Sequence, residues 1–166
     1  MNSDILIRIA ADGLMIPIIL IAAYALVFKL PKGQRLKSYS LILIAGLTAY
    51  LFAKLIGSVY QPASMRPFEL AGTMAGASFM NNPGFPSDHI LFATFLTCAV
   101  WFTTKQKMIT WILVVLVVIV AIGRVMALVH TPIDVIGGVL IALAGSLWYL
   151  NDSDLLQTKD HLHKQL

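Results

Sequence analysis

The chain has 166 residues, of which 58% are hydrophobic and only 12% are charged, and its mean hydropathy is +0.83. Soluble domains average about 45–50% apolar and about 25% charged residues, and a soluble domain of this size has too little interior to hide so much apolar surface. The composition therefore excludes a soluble enzyme, a disordered protein and a nucleic-acid-binding domain, and it indicates a membrane protein.

Five apolar segments follow one another along the chain. A helix needs about 20 mostly apolar residues to cross a bilayer, and the pattern predicts spans at about residues 13–30, 38–57, 89–104, 108–124 and 132–150, the third and fourth of them short. Residues 2–11 are predicted to form a short interfacial helix. Because acidic residues at 4 and 12 make a poor signal-peptide start, the first span is expected to be retained. The predicted fold is an all-α membrane helical bundle, with a single domain over 1–150 and a polar tail over 151–166.

The net charge of +4 is concentrated in two short connections. Half of the twelve basic residues lie there, namely Lys29, Lys32, Arg35, Lys37, Lys105 and Lys107. The positive-inside rule assigns such loops to the cytoplasm, so connections 58–88 and 125–131 are expected on the outer face of a bacterial plasma membrane. Nearly all the unusual polar residues lie in or beside these two connections: Arg66, Glu69, Ser87, Asp88, His89, Arg124, His130 and Asp134. Ionisable residues gathered at span ends indicate a functional site.

The first polar group joins the end of the second span to the outer connection. Lys54 lies near the end of that span, and Arg66 follows in the connection. Pro67 restricts Arg66 to an extended backbone. Considered alone, Arg66 is explained by a solvated loop charge.

The second group is the segment 84–89 (GFPSDH), which leads into the third span. Ser87 or Asp88 is a favoured N-cap, and the free N–H groups at a helix start bind phosphate. His89 lies in the first turn, beside anything held there. A cap followed by an interfacial histidine is the alternative explanation.

The third group is the segment 123–134 (GRVMALVHTPID), at the end of the fourth span and the start of the fifth. Pro132 suits the first helical position, and Thr131 with Asp134 forms a capping-box-like start. This geometry brings the Asp134 carboxylate back towards His130, where it can orient an imidazole nucleophile. Arg124 adds a planar charged group suited to phosphate oxygens. Snorkelling of Arg124 and simple capping by Asp134 are the alternatives, but they do not explain why these residues gather.

Together, these residues resemble the type 2 phosphatidic acid phosphatase superfamily of membrane lipid phosphatases, over about residues 50–140. The family signature is KxxxxxxRP, PSGH and SRxxxxxHxxxD. The third motif matches in its Arg, His and Asp spacing, with Gly123 in place of Ser, and the second reads PSDH, a variant similar to that of undecaprenyl-pyrophosphate phosphatases. In the first, Arg66-Pro67 is present, but Lys54 lies twelve residues before Arg66 and Val59 occupies the expected lysine position. Family members commonly have six spans, against five predicted here.

The resemblance implies a metal-independent phosphatase mechanism with no cofactor. His130, oriented by Asp134, would attack phosphorus and form a phosphohistidine, and His89 would protonate the leaving oxygen and then activate water. Residues implied to bind the substrate phosphate are Arg66, Arg124, Ser87 and the backbone near Asp88, with Lys54 as a further candidate. A metal pair at His161 and His163 is disfavoured because the tail supplies no further ligands.

The expected substrate carries a phosphate at the headgroup level and an apolar tail that stays among the membrane lipids. Undecaprenyl pyrophosphate fits best, and phosphatidylglycerol phosphate or phosphatidic acid are alternatives. A small anion-binding transporter is the hypothesis from a different class, although transporters bind their substrate near the bilayer midplane. A non-catalytic family member, motivated by the displaced Lys54, is a third alternative.

Overall fold

The computed structural model describes residues 2–63, 65–80 and 84–150, and all regular secondary structure within these ranges is helical. In chain order the elements are α1 (Asn2–Arg8), a π-helical turn (Ile9–Gly13), α2 (Met15–Phe28), a 3-10 turn (Lys32–Gln34), α3 (Arg35–Val59), α4 (Pro67–Leu70), α5 (Asp88–Thr104), α6 (Lys107–Met126), α7 (Pro132–Gly145) and a final 3-10 turn (Ser146–Tyr149). The all-α prediction is confirmed. The predicted tail, with His161 and His163, lies outside the described residues.

Four helical segments of the described chain are long and apolar enough to cross a membrane: Ser3–Phe28, Lys32–Val59, Lys107–Met126 and Pro132–Tyr149. The remaining predicted span, α5, is apolar but has only 17 residues. It packs against α2, α3, α6 and α7, and its buried side chains include Ile90, Ala93 and Val100. A helix at the centre of a bundle is shielded from lipid by its neighbours, which explains why it can be shorter than they are. The result is a helical membrane bundle.

The N-terminal segment differs from the prediction. Helix runs from Asn2 to Phe28, and the π-helical turn joins α1 to α2 through a hydrogen bond from the Leu14 N–H to the Ile9 carbonyl (3.0 Å). The separate interfacial helix at 2–11 was wrong. Polar residues in this stretch look like a membrane boundary in the sequence, but Asp12 is paired inside the bundle, so the helix continues past it.

Small residues bring α3 and α7 close together. Ala45 and Ala49 of α3 are buried, and a Cβ at Gly145 of α7 would lie 2.7 Å from the Ala45 carbonyl oxygen and 2.8 Å from the Ala49 Cβ. Because lipid tails are as apolar as the helices, helix association in a bilayer depends on such close packing. This contact fixes the position of the helix that carries Asp134.

The two connections predicted on the outer face meet at one end of the bundle. The Phe68 N–H donates to the Leu128 carbonyl (2.9 Å), and the Gly76 N–H donates to the Ala127 carbonyl (3.0 Å). The basic connections lie at the opposite end, since α3 begins at Arg35 and α6 at Lys107. The chain therefore gathers its unusual polar residues at a single end, as the sequence predicted.

Candidate active site

Glycines on α7 allow the GFPSDH segment to lie directly against that helix. A Cβ at Gly138 would lie 2.9 Å from the Ser87 carbonyl oxygen, and one at Gly137 would overlap the Phe85 ring. The Ser87 N–H donates to the Asp134 carbonyl at 3.0 Å, at the point where α5 and α7 both begin. Close approach of two backbones requires residues without a side chain. These glycines therefore bring the two histidine segments together.

The start of α7 has the predicted capping box. The Asp134 N–H donates to Thr131 Oγ1 (3.3 Å), and the Thr131 N–H donates to Asp134 Oδ2 (2.7 Å). The same Oδ2 lies 3.6 Å from Nδ1 of His130, beyond hydrogen-bond distance but within ion-pair range. Catalytic hydrogen bonds are often this long before substrate binds. Nδ1 is buried and has no hydrogen-bond partner among the described residues, so Asp134 is the group placed to receive its proton.

Burial sets the protonation state of His130, whose side chain is only 5% exposed. Burial lowers the pKa of His130, Asp134 raises it, and the two nearby arginines, Arg124 and Arg66, lower it again. The net result is a pKa below the usual value for histidine. The imidazole is therefore neutral at pH 7, and one ring nitrogen keeps its lone pair.

His89 lies in the first turn of α5 and faces the same cluster. Its Nε2 is 3.8 Å from Asp12 Oδ1, and its side chain is about one-third exposed. It interacts electrostatically with both Arg124 and His130. The two histidines thus share one end of the bundle and one set of charged neighbours.

Two groups in the site have unused hydrogen-bonding capacity. Ser87 is the N-cap residue of α5, as predicted, yet its hydroxyl does not cap the helix, and Oγ is fully buried without a partner in the described chain. Arg124 is 1% exposed and donates from Nη1 to Asp12 Oδ1 (2.7 Å), while its Nε is buried and likewise unpaired there. Buried polar atoms without partners are costly. A bound anion would satisfy both.

Arg66 is a buried residue, so the solvated-loop interpretation was wrong. Its backbone is extended before Pro67, as expected, and its Nη1 and Nη2 donate to the carbonyls of Val129 (2.6 Å) and Met80 (3.1 Å). Burial lowers the pKa of Arg66, and the nearby Asp134 carboxylate raises it; guanidinium remains charged. Arg66 therefore fixes the residue before His130 and brings positive charge to it.

Lys54 reaches the site despite its displaced position in the sequence. Its Nζ lies 3.4 Å from Oδ1 of Asp88, at the start of α5. Val59, at the position expected for the lysine, is 80% exposed. Because the Asp88 carboxylate is engaged with Lys54, the backbone N–H of Asp88 is the part of that residue suited to phosphate.

Asp12 is the site residue that the sequence interpretation missed. Its carboxylate contacts Arg124 and His89 and accepts a hydrogen bond from the Ser78 N–H (2.8 Å). An available signal was an acidic residue bordering an apolar run, since ionisable residues in such positions indicate function. Within the described ranges, no three His, Cys, Asp or Glu side chains gather to hold a metal ion.

Comparison with known families agrees with this geometry. A sequence profile of the PAP2 superfamily matches residues 35–156, which is more than half of the chain. The chain belongs to the PAP2 superfamily. PAP2 proteins are phosphatases, and the matched region includes both histidine segments together with Lys54 and Arg66. No curated protein and no solved structure matches the chain significantly.

The PAP2 match begins after α1, the π-helical turn and α2. Asp12 therefore comes from a part of this protein that the match does not include. All the other charged residues of the site lie inside it.

Proposed function

We propose that this PAP2 protein hydrolyses a polyprenyl pyrophosphate, such as undecaprenyl pyrophosphate, to the monophosphate through a phosphohistidine intermediate. The observation that carries the proposal is a cluster of positive and unpaired polar groups joined to a long apolar groove. The cluster suits a phosphate, and the groove suits a hydrocarbon chain.

The groove lies between α3 and α5 and has a volume of about 860 Å³. Along α3 it extends from Tyr39 to Lys54, or about 22 Å at 1.5 Å per residue, compared with roughly 30 Å for the hydrocarbon core of a bilayer. Lys54 and Asp88 form its polar end. Its other lining residues are almost all apolar: Ile42, Leu43, Gly46, Leu47, Ala49, Tyr50, Met80, Leu91, Phe92 and Phe95.

The shape of the groove supports a lipid with one chain. It is a single channel, and a polyprenyl pyrophosphate carries a single hydrocarbon tail, whereas phosphatidic acid and phosphatidylglycerol phosphate carry two. The PSDH form of the second motif is similar to that of undecaprenyl-pyrophosphate phosphatases and supports the same choice.

In the first chemical step, His130 attacks the terminal phosphorus. Nδ1 faces Asp134, so Nε2 supplies the electron pair that forms the P–N bond. The bond between phosphorus and the bridging oxygen breaks, and His89 gives a proton to that oxygen, which leaves as the lipid monophosphate. Asp134 stabilises the positive charge that develops on the His130 ring.

In the second step, water attacks the phosphohistidine. His89, now neutral, takes a proton from the water, the new P–O bond forms and the P–N bond breaks. Inorganic phosphate is released and His130 regains its lone pair. Arg124, Arg66 and Ser87 would hold the three equatorial oxygens through both steps.

Two guanidinium groups supply the countercharge that a metal ion provides in other phosphatases. Both are buried in the bundle (Arg124 is 1% and Arg66 8% exposed), and charge stabilisation is stronger where water is excluded. We therefore propose catalysis without a divalent metal.

The site is proposed to face the extracytoplasmic side of a bacterial plasma membrane. Its support is the distribution of basic residues, which gather at the other end of the bundle, where positive-inside loops are expected. The pyrophosphate of a carrier lipid is left on the outer side after glycan transfer, so the substrate would be present where the site opens.

The proposed function is tested by a substrate panel assayed in detergent with EDTA present. We expect phosphate release from undecaprenyl pyrophosphate to exceed that from phosphatidylglycerol phosphate and phosphatidic acid. Faster release from either diacyl lipid would assign the protein to that substrate instead. Dependence on an added divalent metal would contradict the mechanism, and absence of release from all three would favour an anion-binding or non-catalytic protein.

A second prediction concerns the groove. Leu47 lines it and is 52% exposed, whereas Leu51, one turn further along the same helix, is 62% exposed and does not line it. We expect Leu47→Trp to lower kcat/KM for a long-chain substrate by roughly 10-fold to 100-fold, the scale of loss that a misplaced substrate produces. Leu51→Trp is the matched control and should retain activity.

The measurement compares each variant on a long-chain and a short-chain pyrophosphate. The short chain does not reach Leu47, so its turnover should not change. Equal losses in the two tryptophan variants, or on the two chain lengths, would contradict tail binding in this groove.

A further inference from the structure

We propose that Asp12 is a positioning residue of the active site, which holds the Arg124 guanidinium and stabilises the protonated form of His89. The inference rests on the proposed function, because His89 acts there as the general acid. Asp12 itself does not contact the substrate in this proposal.

One carboxylate joins three parts of the site. Oδ1 accepts a hydrogen bond from Arg124 Nη1 at 2.7 Å and lies 3.8 Å from Nε2 of His89. Oδ2 accepts the Ser78 N–H at 2.8 Å. The end of α6, the start of α5 and the outer connection therefore converge on this side chain.

Asp12 determines which donors of Arg124 remain available. With Nη1 bound to Asp12, the guanidinium has a fixed orientation, and its buried Nε is left without a partner in the described chain. A charge-assisted bond of this length is among the stronger side-chain interactions. The remaining N–H groups can then be directed at one anion.

The contact between Asp12 and His89 favours the form of His89 that donates a proton. Charged or titratable groups around this imidazole are Arg124, Asp12, His130 and Asp88. Arg124 opposes a positive charge on His89, and Asp12, which lies between them, compensates for that repulsion. Without the Asp12 charge, the leaving oxygen would receive its proton less readily.

The local backbone is built to deliver Asp12 to this position. Asp12 lies in the π-helical turn Ile9–Gly13, and π-turns inside α-helices occur often at functional sites. The turn packs against Gly123 of α6, where a Cβ would lie 2.7 Å from the Ala11 nitrogen and 2.8 Å from the Ala10 carbonyl carbon. A side chain at 123 would push the turn, and Asp12 with it, away from Arg124.

This contact explains why glycine occupies the position where the PAP2 signature has serine. A serine at 123 is incompatible with the close approach of the π-helical turn. The missing hydroxyl and the presence of Asp12 are thus two consequences of one packing arrangement, which joins a segment before the PAP2 match to the site inside it.

The test uses the full-length protein and two substrates that differ in their need for a general acid. Dodecyl phosphate leaves as an alkoxide and must be protonated, whereas 4-nitrophenyl phosphate leaves as a stable phenolate. We expect Asp12→Asn to lose on the order of tenfold more activity on dodecyl phosphate than on 4-nitrophenyl phosphate, since general acid catalysis is worth about 10²–10⁴-fold. Asp4→Asn, on an exposed carboxylate of the same helical segment, is the control and should be unchanged.

A second variant guards against misfolding of the first. Gly123→Ser restores the residue of the family signature, yet we expect it to reduce activity with the same preference between substrates. Its effect should not add to that of Asp12→Asn in the double variant.

Equal losses on both substrates, no loss, or full activity of Gly123→Ser would overturn the role of Asp12 while leaving the phosphatase intact. A wild-type protein that releases phosphate from neither these substrates nor the lipid panel would overturn the proposed function, and this inference with it.

Discussion

His130→Ala is expected to abolish phosphate release, with a loss of roughly 10³-fold or more, because removal of a covalent nucleophile leaves only binding and charge stabilisation. The imidazole is buried, neutral and backed by Asp134, and nothing else in the described part of the site provides a nitrogen nucleophile at that position. His130→Gln preserves more of the side-chain volume and should be equally inactive.

The measurement is the labelled phosphoenzyme as well as turnover. With a terminal ³²P label, the wild-type protein should retain base-stable, acid-labile radioactivity after a rapid quench, and both His130 variants should retain none. His89→Gln provides the positive control, because loss of water activation should make the phosphoenzyme accumulate. Full activity in either His130 variant would remove this residue from the mechanism.

The second large effect is expected from Asp134→Asn. Replacing an orienting carboxylate by its amide reverses the hydrogen-bonding preference of the imidazole, and the loss should be roughly 10²–10⁴-fold in kcat. The introduced amide would keep an oxygen for the Thr131 N–H, so helix capping should survive the change. Activity and stability are therefore expected to separate.

Thr131→Val tests that separation from the other side. It removes the hydroxyl that accepts the Asp134 N–H (3.3 Å) but keeps the carboxylate. Loss of such a cap costs about 1 kcal/mol of stability, and we expect kcat within about threefold of the wild type, a small change beside that predicted for Asp134→Asn. Thermal unfolding in detergent and steady-state rates measure the two effects; similar rate losses in both variants would indicate that Asp134 acts only as a cap.

Several features of the site follow from local sequence rules. Pro67 fixes the extended backbone of Arg66, and Thr131, Pro132 and Asp134 form the start of α7 as the capping pattern predicts. These are interactions between residues close in the chain, so their geometry depends little on the rest of the protein. The order of spans and connections likewise predicts that the two histidines share one end of the bundle.

Other features depend on contacts between distant segments. The distance of Lys54 from Arg66 in the sequence does not match the family signature, yet α3 brings its Nζ to Asp88, 34 residues away. Arg66 looks like a solvated loop charge until its bonds to Val129 and Met80 are seen.

The sequence by itself determined the class of protein, the end of the bundle at which the site lies and the identity of its two histidine segments, because hydropathy, helix capping and motif spacing are encoded locally. Only the tertiary structure decided that Asp12 belongs to the site. It is 112 residues from Arg124 along the chain, and the contact requires a π-helical turn to pack against the bare backbone of Gly123. Such a contact depends on the exact approach of two helices, and no spacing rule within either segment specifies it.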